Sequence, residues 1–97
     1  MSTPKEDTIE KFLNDEVERR GGFTVKLHPK GYKGIQDRLV VLPGRILVVE
    51  LKRPKGGVIA RLQYWWRDRF TALGHEAYIA PTREAVLKAL DERGSGT

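Results

Sequence analysis

Two carboxylates and an ammonium stand at the ends of an otherwise apolar stretch. Residues 37–52 read DRLVVLPGRILVVELK: two apolar runs joined by Pro-Gly, the pattern of a β-hairpin. Asp37 opens the first run, and Glu50 and Lys52 close the second. A turn centred between Pro43 and Gly44 sets Leu42 opposite Arg45, Val41 opposite Ile46, Leu39 opposite Val48 and Asp37 opposite Glu50. Directly opposed residues share a face of the sheet, with Cβ atoms about 5 Å apart, so the two carboxylates converge. Strand alternation brings Lys52 to the same face as Glu50. L-Pro-Gly favours a type II turn, which fits a two-residue hairpin poorly. A wider loop with the same centre keeps the pairing, and a bulge shifts it by one residue.

Opposed carboxylates repel, and left unpaired in a partly buried place they destabilise a fold. Three arrangements offset this. Lys52 pairs with one acid as a salt bridge at a sheet edge, one carboxyl takes up a proton, or a hard divalent cation sits between them. Mg2+ suits the last, because it takes one or two carboxylates and keeps water or phosphate oxygens in its other positions. An all-oxygen site also accepts Mn2+. With such an ion the chemistry is that of phosphodiester hydrolysis. The ion acidifies water and polarises a phosphoryl oxygen. Lys52 then holds the attacking water or stabilises the charge that develops on the phosphate.

The elements that must position these groups read in the order αβββαβα, without internal repeat or linker. Thr3 as N-cap, Pro4 at the first helical position and Glu6 as capping-box partner open the first helix. Its apolar stripe is Ile9, Phe12, Leu13 and Val17, and Gly21-Gly22 stops it. FTVKLH, 23–28, alternates as a strand, and PKGYKG, 29–34, is a basic, glycine-rich loop. The hairpin strands run 37–42 and 46–52, followed by a second basic loop, RPKGG, at 53–57. A helix over 58–73 places Ile59, Leu62, Trp66, Phe70 and Leu73 on one face, which makes Trp66 a core residue. Trp65 falls beside that face, open to core-edge packing, a dimer contact or base stacking. A short strand at 76–80 and a helix at 83–91, capped by Pro81-Thr82, complete the chain. The first three strands suit an antiparallel meander. The fourth, reached through a helical crossover, lies parallel to its neighbour. The class is α/β, a mixed central sheet flanked by helices. Residues 1–93 make one domain, with a disordered tail at 94–97.

Composition narrows the functions open to this chain. Its 97 residues suffice for one domain, and a domain of this size gains from a partner subunit. No apolar run approaches the roughly 20 residues of a membrane span, and the polar N-terminus is not a secretory signal. The expectation is an intracellular protein with no membrane partner. The chain has no Cys, which excludes disulfides, zinc fingers and a Cys nucleophile. His28 and His75 are too few and too far apart for an imidazole metal site. A net charge of +5 reads either as a solvated basic surface or as an affinity for a polyanion such as nucleic acid.

Four stretches, TIEKFL, GYKGIQDRLVVLPG, VVELKRPKGG and ARLQYWW, follow one another as a helix with Glu, a glycine-rich loop leading into Asp-Arg-Leu, a hairpin ending Val-Glu-Leu-Lys and a helix with Gln. In this order and spacing, over residues 6–91, they resemble the virus-type replication-repair nuclease (VRR-NUC) domain of the PD-(D/E)XK, restriction-endonuclease-like superfamily. The resemblance implies an αβββαβ core and a metal-dependent, structure-specific DNA endonuclease acting on branched DNA, a Holliday junction or flap. It implies Mg2+, with Mn2+ able to substitute, no small-molecule cofactor, a homodimer, and a cytoplasmic setting of phage or bacterial type. By position, Asp37 and Glu50 match the metal-binding acids, the carbonyl of Leu51 a further ligand, and Lys52 the catalytic lysine. Glu10 matches an outer acid that binds or orients a metal through water, where pattern alone makes it an exposed helix carboxylate. Gln63, otherwise a surface residue, matches a supporting glutamine. Gln36 stands where the family usually has Pro.

Lys30, Lys33, Arg38, Arg53 and Lys55 flank the proposed site and suit contact with DNA phosphates. Lys26 joins them if its strand faces that way. Their alternative is a solvated basic surface. Two further readings of the whole remain: a catalytically silent DNA-binding or assembly module that keeps the nuclease fold, and a small dimeric interaction protein whose acids form salt bridges.

Overall fold

The computed structural model describes residues 5–28, 30–53 and 55–92. The elements are α1 (Lys5–Arg19), β1 (Phe23–Lys26), β2 (Arg38–Leu42), β3 (Arg45–Glu50), α2 (Gly57–Ala72), β4 (Glu76–Ile79) and α3 (Arg83–Asp91). The expected capping by Thr3, Pro4 and the Glu6 side chain, and the tail at 94–97, lie outside the described residues.

Each element follows from its local sequence. Leu13 and Val17 of the α1 stripe are buried, with Ile9 and Phe12 packed beside them. The helix closes where Gly22 N–H donates to the Val17 carbonyl at 3.0 Å. A Cβ at Gly22 would stand 2.0 Å from the Val41 carbonyl oxygen, so only glycine lets the chain pass this close to β2. In the hairpin, Gly44 takes φ 70, which an L-Pro-Gly turn requires at its second central residue. The register is Leu42 with Arg45, Val41 with Ile46, Leu39 with Val48 and Arg38 with Val49, so the two-residue turn holds without a bulge. The Thr82 hydroxyl accepts from Ala85 N–H at 3.1 Å and caps α3 as expected.

The sheet order is β1-β2-β3-β4. β1, β2 and β3 form the antiparallel meander, and β4 runs parallel to β3 after the α2 crossover. β1 leaves the sheet after Lys26, two residues sooner than the alternation of 23–28 suggests. Leu27 N–H still donates to the Asp37 carbonyl at 2.7 Å. α1 and α3 cover one face, where Val40, Leu42, Leu47 and Val49 meet Leu13, Val17, Val86 and Leu90 in the core. α2 packs on the other side, over β4. No helix of the described residues is long and apolar enough to cross a membrane.

The expected core face of α2 is corrected by the structure. Ala60 and Gln63 are its buried residues, whereas Ile59 and Leu73 are exposed and Leu62, Trp66 and Phe70 half-buried. The reason is steric: the small Ala60 side chain permits close approach to the sheet, and the bulky residues turn aside. Trp66 therefore lies at the edge of the core, where its indole N–H donates to the Lys33 carbonyl at 3.0 Å.

At the turn end of the sheet, Arg45 ties β3 to β4 and α3. Its guanidinium meets both Glu76 carboxylate oxygens, at 2.8 and 2.6 Å, and donates to the carbonyls of Leu90 and Ala89 at the end of α3. It thereby satisfies backbone acceptors that the helix end leaves over. Burial, with the Glu76 carboxylate next in effect, pushes the Tyr78 phenol up to about 12, so Tyr78 stays protonated and donates to Glu76 at 2.6 Å. Removing Arg45 leaves Glu76 without its main countercharge in a partly buried place. Arg45→Ala should cost about 2–3 kcal/mol. In a domain of this size that lowers the melting temperature by roughly 10–20 °C, readable by calorimetry.

Candidate functional site

The hairpin register extended by one residue beyond Arg38 and Val49 sets Asp37 opposite Glu50. Alternation turns both away from the α1–α3 core, because their neighbours Arg38, Val49 and Leu51 are the residues buried against it. Glu50 is only 6% exposed and Asp37 is half-buried. The backbone N–H of Lys52 donates to Glu50 Oε2 at 3.2 Å, which holds that carboxylate at the end of the strand. The Lys52 side chain is exposed. Beyond it opens a cavity of about 600 Å³, lined by Leu51, Lys52, Arg53 and Lys55 after β3, by Ile59, Ala60 and Gln63 of α2, and by Ile9 and Pro81.

Asp37 arrives at this corner on the loop that follows β1. That loop is closed at its base by the Leu27–Asp37 hydrogen bond and pinned along α2. Trp66 holds the Lys33 carbonyl, and Gln36 Nε2 donates to the Gln63 carbonyl at 3.4 Å. Gly34 has φ 81, and a Cβ there would meet Leu62 Cβ at 2.5 Å. A side chain at 34 would push the loop, and Asp37 with it, off the helix.

The predicted residues separate into groups. Leu51, Lys52 and Gln63 line the cavity beyond the end of β3, Glu50 is the last residue of that strand, and Asp37 stands just before β2 on the loop that Gln36 ties to α2. Gln63 is buried, where pattern alone suggested a surface residue. Glu10 does not share the face of Asp37 and Glu50. It forms an ion pair with Arg38, whose side chain is 7% exposed, on the α1 side of the sheet. Arg38 is thus turned into the protein, paired with a carboxylate, and not presented to solvent phosphate. Its alternation with Val40 and Leu42, both buried, was the sequence signal for this. Lys26 lies opposite Arg38 and so faces the α1 side, away from Asp37. Lys30, Lys33, Arg53 and Lys55 are exposed.

No family model matches the sequence. The chain is 40% identical over 94 residues to "Putative nuclease p44" of Acyrthosiphon pisum secondary endosymbiont phage 1, covering 94% of this chain and 100% of that protein. A solved structure described as a VRR_NUC domain superposes with a TM-score of 0.78 at 28% identity, over 93% of this chain and 98% of that one. The chain belongs to the VRR-NUC nuclease family.

Within this VRR-NUC chain, Gln36 is the residue that sequence reasoning undervalued. It stands in place of proline and is 1% exposed. Its amide reaches α2, while its Oε1 has no hydrogen-bond partner among the described residues. Proline would shape the loop through its backbone alone, whereas Gln36 anchors the residue before Asp37 to the helix that carries Gln63.

A nuclease fold of this kind calls for a divalent metal, and the donor set fits one. The carboxylates of Asp37 and Glu50 and the backbone carbonyl of Leu51 would be hard oxygen ligands for an ion that keeps part of its water. Among the described residues no three His, Asp or Glu side chains gather closely enough to hold a metal, because Glu10 is turned to Arg38. Millimolar Mg2+ or Mn2+ should therefore raise the melting temperature of the wild type, by roughly 1.4 kcal/mol of added stability at ten times the dissociation constant. Asp37→Asn should abolish that rise. Its metal-free melting temperature should equal or exceed the wild type's, since a like charge opposite Glu50 has been removed.

Proposed function

We propose that this protein is a metal-dependent, structure-specific DNA endonuclease that cuts branched DNA, a Holliday junction or flap. The observation that carries the reading is the hairpin register, which runs to Arg38 opposite Val49; continued by one residue it would set Asp37 opposite Glu50 at the end of β3, with Lys52 two residues further on. Asp37, Glu50 and the Leu51 carbonyl would hold the ion, Mg2+ by preference and Mn2+ in its place. When bound, such an ion supplies positive charge to a phosphoryl oxygen and lowers the pKa of water. In the cleavage a water oxygen would form the new bond to phosphorus as its proton passes to solvent, and the bond to the leaving sugar oxygen would break as that oxygen takes a proton from solvent. The Lys52 ammonium, exposed at the cavity mouth, stabilises the negative charge that builds on the phosphate in that step. Gln63 lines the same cavity and supports the site from α2. Glu10, held by Arg38, enters only as an acid acting through water.

Arg53 and Lys55 stand beside Lys52 around the cavity, and Lys30 and Lys33 lie on the loop that brings Asp37. These four are the phosphate contacts we propose, positioning DNA without reading its sequence. The excess of cations offsets the charge of the two acids, which would otherwise repel a polyanion.

A branched substrate suits a dimer with two sites. The sheet face left open by α2 offers the contact: Phe23 and Val41 lie in register with Ile46, and Val25 and Leu39 with Val48. Ile46 is 61% exposed, and Phe23 and Val25 are exposed beside it. An uncharged apolar patch of this kind marks an interface, and two copies across a two-fold axis would bury it. Light scattering at micromolar concentration should give twice the chain mass of 11.0 kDa. Ile46→Lys should return the monomer, and a monomeric wild type would sink the dimer.

For the activity, end-labelled four-way junction, flap and linear duplex are incubated with protein and Mg2+, Mn2+ or EDTA. We expect metal-dependent cutting, faster on the branched substrates, and a loss of about a hundredfold or more in Lys52→Ala. Binding without cutting in any metal would favour a silent DNA-binding module instead.

A further inference from the structure

Three aromatic rings form a chain from the Asp37 loop across the outer side of α2. Tyr32 packs edge-on against Trp66, with centroids 5.7 Å apart, and Trp66 against Trp65 at 4.8 Å. Trp66 is the fixed member, half-buried and hydrogen-bonded to Lys33. Its two partners are not fixed by burial: Tyr32 is 53% and Trp65 51% exposed. An exposed indole held by a rigid neighbour presents a flat apolar surface at little entropic cost. Cations surround it. The Arg69 guanidinium lies 5.5 Å from the Trp65 ring centre, Arg61 lines a shallow groove with Trp65, and Lys33 is on the loop.

We propose that Tyr32 and Trp65 form a stacking site for unpaired bases of the DNA substrate. This rests on the nuclease reading above and adds the feature by which that site would prefer branched or frayed DNA. Aromatic faces interleaved with Lys and Arg bind single strands, because every base has a π-face and every nucleotide a phosphate. In a continuous duplex the base faces are covered by their neighbours, so the rings have nothing to receive. The loop that carries Tyr32 ends at Asp37, so a base stacked there lies on the same structural unit that delivers a metal-binding acid.

A second copy of the chain is the competing occupant of this surface. Charge argues against it. α2 carries Arg61, Arg67 and Arg69 against Asp68 alone, and Lys33 adds to them from the loop. A two-fold contact through this face would set like charges against each other, whereas the exposed patch of Phe23, Val25 and Ile46 on the open sheet face is made of apolar residues. Polyphosphate has the complementary sign.

The test uses the full chain in EDTA, so that nothing is cut. Fluorescence anisotropy compares a short labelled oligothymidine with a closed hairpin duplex carrying the same number of phosphates, at one salt concentration. Trp65→Ala and Tyr32→Ala should each weaken oligothymidine binding by about tenfold and duplex binding by less than about twofold. Trp65→Phe, which keeps a ring, should retain most of the affinity. Both positions are exposed, and matching melting temperatures confirm that the variants fold. Equal losses on both probes, or no loss on either, would overturn the proposal. So would a Trp65→Ala protein that turns monomeric, which makes the patch a subunit contact. Because the measurement needs neither metal nor cleavage, a protein that cuts nothing can still show base stacking, and the two readings fail separately.

Discussion

The pairing of β2 with β3 is the constraint on which the rest of this structure depends. Pro43-Gly44 closes the hairpin in two residues, and the register it sets runs unbroken to Arg38 and Val49. A slip of one residue would exchange the two faces of the strand that moved. With β3 moved, Leu47 and Val49 would leave the core. Core and candidate site are thus specified by the same hydrogen-bond ladder. The apolar core makes the slip costly, and that cost fixes the face on which each residue of the hairpin lies.

Two arginines are taken into this small protein in the company of a carboxylate. Arg38 is buried with Glu10, and Arg45 with Glu76 and the final carbonyls of α3. Breaking such a pair is expensive because the remaining charge stays desolvated. The two pairs fasten opposite ends of the sheet, one to α1 and one to α3. The Glu10–Arg38 pair also fixes where the first helix stands relative to the strand that follows Asp37. Gln36 and Gln63 do comparable work between the loop and α2, through an amide and a backbone carbonyl. The corner that carries Asp37 is therefore braced from both sides of the sheet.

Three helices are too few to cover a four-stranded sheet on both faces. α1 and α3 share one face, and α2 spans only the β4 side of the other. What is left uncovered has two characters. Around Phe23, Val25 and Ile46 it is apolar, and along the outer side of α2 it is aromatic and cationic. The first suits a second copy of the chain and the second suits a nucleic acid, and the division follows from which residues the crossover helix leaves free.

The sequence by itself determined the element order, the antiparallel meander, the parallel fourth strand and the hairpin register from Leu42–Arg45 to Leu39–Val48. These rest on local rules: strand alternation, turn chemistry and helix capping act within a few residues and do not need the rest of the chain. The family likeness was legible for the same reason, as it is carried by short motifs in a fixed order. Only the tertiary structure decided which cations are free. Alternation puts Arg38 on the core face of β2, yet only packing brings Glu10 to it, while Arg53 lines the cavity. Likewise the apolar periodicity of α2 pointed to Trp66 as core, while packing through Ala60 turned Gln63 inward and left Trp65 outside. Burial of a given side chain depends on how closely two distant elements approach, and that distance is set by residues from both.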